Sequence, residues 1–213
     1  MRLAVENYQR QSKCWPKEGR HIMAQFDDTS IVVYQAYCRS IGQYAAQQGR
    51  LGGPHFNFGR MSWIKPNFLW MMYRCGWATK VNQEVVLAVR IRREGFDEIL
   101  WQAVPSTFSP RVYENESTWR ETLCNSSVRL QWDPDHEPNA GKLPRRAIQL
   151  GLGGEILRNY AAPWIVSIED ISDFVRTQHK TLNEQGTVSL LTPHEDVYPV
   201  ENPEVRKALG MEP

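Results

Sequence analysis

The segment from Arg60 to Trp77 combines indole, amide and guanidinium side chains at helical spacing. Read as a helix, it has a polar and aromatic stripe beside an apolar stripe, whereas an ordinary core helix pairs an apolar face with a charged face. Indoles offer stacking surface, and arginine offers bidentate charge-assisted hydrogen bonds. The mixture therefore favours a planar, charged ligand. The stripe comprises Trp63, Asn67, Trp70, Arg74 and Trp77.

The entry to this helix is a predicted anion site. Pro66 suits the first turn of a helix, and three polar residues come just before it, namely Arg60, Ser62 and Lys65. The free N–H groups and the dipole of a helix N-terminus favour phosphate at such a place. A structural role is the alternative for the whole segment, in which the indoles fill the core and Arg74 pairs with a buried carboxylate.

Two carboxylates and one phenol form the predicted catalytic set. Asp133 ends a predicted strand, where it would orient a ribose hydroxyl or stabilise positive charge on a sugar, as glycosyl transfer requires. Glu84 begins another strand, and Tyr34 lies near the first strand–helix junction, where it would orient ribose. The alternatives are turn chemistry for Asp133, strand-start polarity for Glu84 and core hydrogen bonding for Tyr34.

Other polar residues are predicted to line the same pocket. Alternation along residues 147–152 places Gln149 and Gly151 on one strand face, and a glycine there leaves room for a ligand to approach the backbone. An edge strand with polar decoration is the alternative. The remaining predicted ligand contacts are Arg20, Gln25, Gln35, Trp132 and Arg146.

Composition and motifs exclude several classes of protein. The net charge is +1 with 23% charged residues, so a nucleic-acid contact would have to be a local patch. The four cysteines form no CxxC pair, and GxSxG, Cys–His and HExxH signatures are missing, so no metal site is expected and hydrolase or metalloprotease chemistry is disfavoured. No apolar run reaches the length of a signal peptide or a membrane span, which predicts a cytoplasmic protein without a membrane partner.

The order of predicted elements favours an α+β fold. Helices and strands mix singly instead of alternating strictly, which predicts a single domain with a mixed or mainly antiparallel central sheet and flanking helices. The domain is expected over 18–185, between a polar lead-in over 1–17 and a loosely packed C-terminal tail over 186–213. Predicted helices cover 30–48, 66–76, 96–104, 154–160 and 171–182, and predicted strands cover 84–92, 128–132, 147–152 and 164–168.

Four blocks of the chain together resemble a widespread family of bacterial and fungal proteins known as a domain of unknown function. The blocks are Arg20–Asp27, Ile31–Tyr37, Arg60–Trp77, and Gln131–Pro134 followed by Arg146–Leu152. The resemblance covers roughly 18–180. The family pattern continues the fourth block with an acidic residue and arginine, where this chain has Asp135 and His136, so a contact of His136 with an anion would require the protonated ring.

A fold-level resemblance to ADP-ribosyltransferases implies NAD as a donor of ADP-ribose. The His-Tyr-Glu and Arg-Ser-Glu signatures of those enzymes are not assigned to residues of this chain. The first hypothesis is therefore a Trp- and Arg-lined pocket for a nucleotide-type ligand, with NAD-dependent ADP-ribosyl transfer as its catalytic form. The alternatives are a non-enzymatic RNA- or DNA-binding module and a protein-interaction domain. The sequence does not predict the oligomeric state.

Overall fold

The computed structural model describes residues 3–211, which form eight helices and eleven strands. The helices are α1 Tyr8–Gln11, α2 Arg39–Gln48, α3 Phe68–Cys75, α4 Arg93–Trp101, α5 Glu116–Asn125, α6 Gly154–Ala161, α7 Ser172–Gln185 and α8 Pro203–Ala208. The strands are β1 Val5–Asn7, β2 Met23–Ala24, β3 Ser30–Tyr37, β4 Ser62–Ile64, β5 Val85–Arg92, β6 Ala103–Pro105, β7 Val128–His136, β8 Lys142–Leu152, β9 Ile165–Asp170, β10 Leu191–Pro193 and β11 Asp196–Val197.

Two sheets carry the fold. One has the strand order β3-β5-β9 and the other the order β4-β8-β7-β6, in which β6 pairs with β7 in parallel and the other neighbours are antiparallel. A single antiparallel bridge joins them: the Tyr34 N–H donates to the Lys65 carbonyl at 2.7 Å, and the Lys65 N–H donates back at 3.2 Å. The predicted α+β class with a mainly antiparallel sheet is confirmed.

Two apolar clusters cover opposite faces of the three-stranded sheet. Val33 on β3 belongs to the larger cluster, which also takes in one face of the four-stranded sheet, α4 and α6. Val32 and Tyr34 belong to the smaller cluster, which packs against α3 and α7. Because both faces are buried, β3 and β5 read as continuous apolar runs without alternation.

The helix predicted over 30–48 is wrong in its first part. Ser30–Tyr37 forms strand β3, because its β-branched residues favour extended backbone and pair with β5, and the helix begins only at Arg39. The Oδ1 atom of Asp27 accepts hydrogen bonds from the N–H groups of Thr29 at 2.9 Å and Ser30 at 2.8 Å, which closes a turn before β3.

The helix predicted over 66–76 is confirmed with a later start. Pro66 precedes it, Asn67 caps it by accepting a hydrogen bond from the Trp70 N–H at 2.7 Å, and Gly76 ends it with φ of 58°. A left-handed residue at that position is why glycine suits it. The strand predicted over 84–92 is confirmed as β5, the central strand of its sheet.

Both terminal segments pack closely against the domain. β1 pairs with β10, and β11 pairs with β2. The loosely packed tail predicted from residue 186 is wrong for the described residues, because Leu190, Tyr198 and Leu209 are buried in the apolar clusters and Glu195 is only 1% exposed. The lead-in also contributes a buried side chain, Trp15. Residues 1, 2, 212 and 213, which belong to the predicted lead-in and tail, lie outside the described residues. Between residues 3 and 211, no helix has the length and apolar character needed to cross a membrane.

Candidate functional site

One face of the four-stranded sheet is polar. The register pairs Trp63 with Gly151 and Gln131 with Gln149, and side chains two residues apart on each strand share a face. The opposite face, which includes Leu130 and Leu150, is buried in the larger cluster. We call the following set the polar face: Trp63, Lys65, Arg129, Gln131, Asp133 and Gln149.

A hydrogen-bonded row forms the floor of the polar face. Gln149 donates through Nε2 to Gln131 Oε1 at 2.7 Å and to Asp133 Oδ2 at 2.8 Å. All three side chains are half-buried, so they lie at the boundary between sheet and solvent. The amide fixes the orientation of the carboxylate, and Asp133 keeps further lone pairs for a ligand. The strands predicted over 128–132 and 147–152 are confirmed, as is the face assigned to Gln149.

Lys65 is a buried cation on this face. Its side chain is 5% exposed, and its ammonium forms no hydrogen bond or ion pair with any residue from 3 to 211. Burial first, and then the charge of Arg74, lower the pKa of Lys65 to about 8, while Asp133 acts in the opposite direction. Lysine is almost never buried unless it is paired, because desolvating a charge is costly. A cation held in this way favours an anion as its partner.

Trp63 and Arg129 lie on either side of Gly151. A Cβ atom on Gly151 would come within 2.9 Å of the Trp63 ring, so the indole covers the glycine and the predicted open approach to the backbone there is wrong. Arg129 pairs with Gly151 on the other side, and its buried Nε atom has no partner among the described residues. Sequence reasoning missed Arg129, although the alternation of β7 already places it on the same face as Asp133.

The predicted helical stripe does not exist as one surface. Residues 62–64 pair with β8, so Trp63 belongs to a strand and the helix starts only after Pro66. Arg74 lies exposed on α3, with its Cζ atom 6.0 Å from the centre of the Trp70 ring. Trp70 is buried and stacks with His136, their ring centres 5.3 Å apart. Trp77 stacks on His179 instead.

His136 is buried, and neither ring nitrogen has a partner among residues 3–211. Burial is the main cause that lowers the pKa of its imidazole. A neutral ring donates through one nitrogen only and carries no charge for an anion. The anion contact considered for this position is therefore not favoured by its surroundings.

The predicted phosphate site at the N-terminus of α3 is occupied by the chain itself. Glu195 Oε1 accepts a hydrogen bond from the Phe68 N–H at 2.6 Å, and Oε2 accepts one from Asn67 Nδ2 at 3.1 Å. These contacts satisfy groups that a ligand phosphate would need, so this prediction is wrong. Burial raises the pKa of Glu195 to about 8. Arg60 lies exposed in the loop before β4.

Three predicted ligand contacts, Gln35, Ser62 and Gln25, hold the fold together instead. Gln35 donates through Nε2 to Ser62 Oγ at 2.8 Å and accepts from the Tyr160 hydroxyl at 2.7 Å, which ties β3 to β4 and α6. Gln25 donates through Nε2 to the Ala4 carbonyl at 2.7 Å and to the His194 carbonyl at 3.1 Å. These amides join segments distant in sequence, and the polar face does not include them.

Only Asp133 of the predicted catalytic set lies on the polar face. Tyr34 is fully buried in the smaller cluster, its ring edge-on to Phe68 at 5.5 Å, and its hydroxyl has no partner among the described residues. Glu84 accepts a hydrogen bond from the Asn82 N–H at 2.9 Å in the turn before β5, on the other sheet. Tyr34 points into the smaller cluster and Glu84 lies in a turn, so neither side chain reaches the polar face.

A cavity of about 380 Å³ opens at the edge of β7, beside the end of the polar face. We call it the edge cavity. Gln131 and Asp133 of the polar face are among the residues that line it. Arg20 donates to the Gly210 carbonyl at 2.6 Å, and Trp132 Nε1 donates to the Leu209 carbonyl at 2.8 Å. The edge cavity thus brings together four predicted residues: Arg20, Trp132, Asp133 and Arg146.

Comparison with known proteins identifies the family. Among the curated proteins, none matches this chain. Between residues 3 and 211, no group of three or more His, Cys, Asp or Glu side chains is placed to hold a metal ion. A family model described as Domain of unknown function (DUF4291) matches residues 21–198, so the chain belongs to that family.

Proposed function

We propose that the polar face binds a phosphate-bearing, nucleotide-type ligand. The observation that carries this proposal is Lys65, a buried lysine whose ammonium forms no hydrogen bond or ion pair with the described residues. Arg74 is a cation whose charge acts on Lys65, and Arg129 is a further cation of the polar face. Neither forms an ion pair with any residue from 3 to 211. Three cations without carboxylate partners favour an anion of more than one negative charge, and phosphate groups meet this requirement.

The other side chains of the polar face suit the remainder of a nucleotide. The Trp63 indole offers a stacking surface, and such contacts contribute roughly 1–3 kcal/mol per base. Gln131, Gln149 and Asp133 present amide and carboxylate groups for ribose hydroxyls or the edge of a base. A planar ring and a phosphate would therefore find separate partners within one surface.

NAD used as a donor of ADP-ribose is the catalytic form of this proposal. It is favoured by Asp133, a carboxylate that Gln149 orients and that forms no ion pair with the described residues. When bound, such a ligand would supply the sugar to be transferred. Asp133 would stabilise positive charge developing on that sugar.

Thermal melting tests the proposal. Purified protein is melted with pyrophosphate, ADP, ATP and NAD, each over a concentration series. A ligand at about 100 times its dissociation constant adds about 2.7 kcal/mol to the free energy of unfolding, or roughly 5–10 °C for a chain of this size. We expect such a shift with ADP or NAD, reduced in Arg74→Gln and Arg129→Gln and kept in Arg39→Gln, an exposed control on α2. No shift with any of the four compounds would contradict the proposal.

A further inference from the structure

The surface on one side of α8 is strongly basic. A second cavity of about 380 Å³, lined by Arg111, Arg206 and Lys207, adjoins the edge cavity at Gly210. A third cavity of about 430 Å³ shares Arg206 with the second and Arg20 with the edge cavity. We call their cations the basic patch: Arg20, Arg111, Arg146, Arg206 and Lys207.

The positive charge of the basic patch is local. The three cavities are lined by two carboxylates, Glu18 and Asp133, against five cations. A groove of about 630 Å³, which α8 borders through Val205, has the opposite excess. One cation, Arg93, lines it against four carboxylates, Glu94, Asp97, Glu98 and Glu201. The net charge of +1 is therefore the sum of a basic surface and an acidic surface that lie on different sides of α8. A local patch is what a near-neutral protein needs in order to bind a polyanion.

The edge cavity adds groups that a simple anion site would not need. Two half-buried aromatic side chains, Trp132 and Phe108, line it together with the hydroxyl-bearing Ser106 and Thr107. Aromatic rings beside a row of cations are the combination that binds single-stranded nucleic acid, in which phosphates meet the cations and unstacked bases meet the rings. Duplex DNA would offer its phosphates but no free base for the cavity.

We propose that a single-stranded nucleic acid docks on the basic patch and places one nucleotide in the edge cavity, beside Asp133. The inference deepens the proposed function by naming the macromolecular partner of that site, and it rests on the proposed function only for that assignment. Gln131 and Asp133 line the edge cavity and also belong to the polar face, so the inserted nucleotide would lie beside the strand that carries the ligand site.

Fluorescence anisotropy with labelled oligomers tests the docking. The probes are RNA and DNA strands of one sequence, about twelve nucleotides long, at about 50 and about 200 mM salt. The patch variant carries Arg111→Gln, Arg206→Gln and Lys207→Gln. The control variant carries Arg39→Gln, Arg176→Gln and Lys180→Gln, which are exposed positions on α2 and α7 with the same loss of charge. Each variant is also titrated with ADP, which reports whether the polar face is still folded.

We expect the patch variant to bind the oligomers at least about tenfold more weakly than the control variant at low salt, and its salt slope to fall by about 2, since each lost phosphate contact contributes about 0.7 on single strands. ADP binding should be the same in both variants. Equal oligomer affinity in the two variants, or equally good competition by polyglutamate of the same charge, would overturn the docking. Oligomer binding that depends on the patch in a protein that ignores ADP would contradict the proposed function instead and leave the docking in place.

Discussion

Gln149 donates through Nε2 to Asp133 Oδ2 at 2.8 Å, across two neighbouring antiparallel strands. The same nitrogen donates to Gln131 Oε1 at 2.7 Å, so the amide cannot rotate without losing both bonds. The carboxylate is thereby held at the border between the polar face and the edge cavity. We expect two roles for Asp133 in this position. It places a negative charge near the ligand, and it acts on the sugar during transfer.

Asp133→Asn should affect binding and transfer in opposite directions. The change removes a negative charge near a phosphate-bearing ligand, and at the effective dielectric of such sites this corresponds to about 0.5–1 kcal/mol, or a two- to fivefold gain in ADP affinity. Release of nicotinamide from NAD should fall about a hundredfold or more, because the charge on the sugar loses its partner. Calorimetry measures the first quantity and chromatography the second.

Asp28→Asn, at an exposed position in the turn before β3, is the matched control for Asp133→Asn and should change neither quantity. Nicotinamide release that is unaffected by Asp133→Asn would remove Asp133 from the reaction. A loss of ADP affinity would show instead that the carboxylate binds the ligand directly.

Tyr34→Phe should stabilise the protein slightly and leave ligand binding unchanged. The hydroxyl is buried without a partner among the described residues, and such a group costs about 1 kcal/mol or more. Tyr160→Phe is the matched comparison. Its hydroxyl donates to Gln35 at 2.7 Å, so its removal should lower the free energy of unfolding by about 1 kcal/mol. Urea unfolding measures both. A Tyr34→Phe variant that no longer binds ADP would restore the role in the ligand site first predicted for this residue.

Glu195 should make stability depend on pH. Burial raises its pKa from 4.5 to about 8, so the native state holds a proton that the unfolded chain releases between these values. Stability contributed by this group is therefore fully present below pH 4.5 and is lost as the pH rises through 8. In Glu195→Gln this contribution disappears, while one carbonyl oxygen remains for the Phe68 N–H.

The measurement for Glu195 is urea unfolding at several pH values between 5 and 8, interpreted as the difference between the wild type and Glu195→Gln. We expect the wild type to lose stability relative to the variant by at most about 1.4 kcal/mol per pH unit. A difference that stays constant over this range would mean that the carboxyl is ionised throughout, with the N-terminus of α3 outweighing burial.

Strands with one buried face were predictable from the sequence, and so were the ends of α3. In β8, Leu150 and Gln149 alternate between core and polar face, so the period of two indicated both the strand and the side chain that faces a ligand. Pro66 restricts the backbone and Gly76 tolerates the left-handed conformation that ends a helix, which is why they marked its bounds. Such local signals need no knowledge of what packs against them.

Strand β3 and the terminal segments could not be predicted in this way. Val32 and Val33 are buried on opposite faces, so their strand shows no alternation and imitates a helix. Glu195 looks like an exposed tail residue, yet it is buried because Asn67 and the Phe68 N–H, more than a hundred residues earlier, supply its partners. Partnerships between residues so distant in sequence decide where a polar side chain lies, and no local pattern encodes them.

The assignment of Lys65 as the anion-binding cation of the polar face is the central claim, and Lys65→Met tests it most directly. If Lys65 serves only the fold, its replacement should lower stability and leave nucleotide affinity unchanged. If it is a buried cation kept for a ligand, methionine of similar length should relieve the desolvation and stabilise the free protein, as replacement of buried ion pairs by apolar residues often does by about 1–4 kcal/mol. Lys13→Met, at an exposed position, is the control.

The measurement is urea unfolding of Lys65→Met at neutral pH with and without ADP. We expect a free energy of unfolding above that of the wild type without ADP, and no further gain when ADP is added. The Lys13→Met control should match the wild type in both conditions. A Lys65→Met protein that is less stable than the wild type and still gains stability from ADP would contradict the assignment of Lys65 as the anion-binding cation of the polar face.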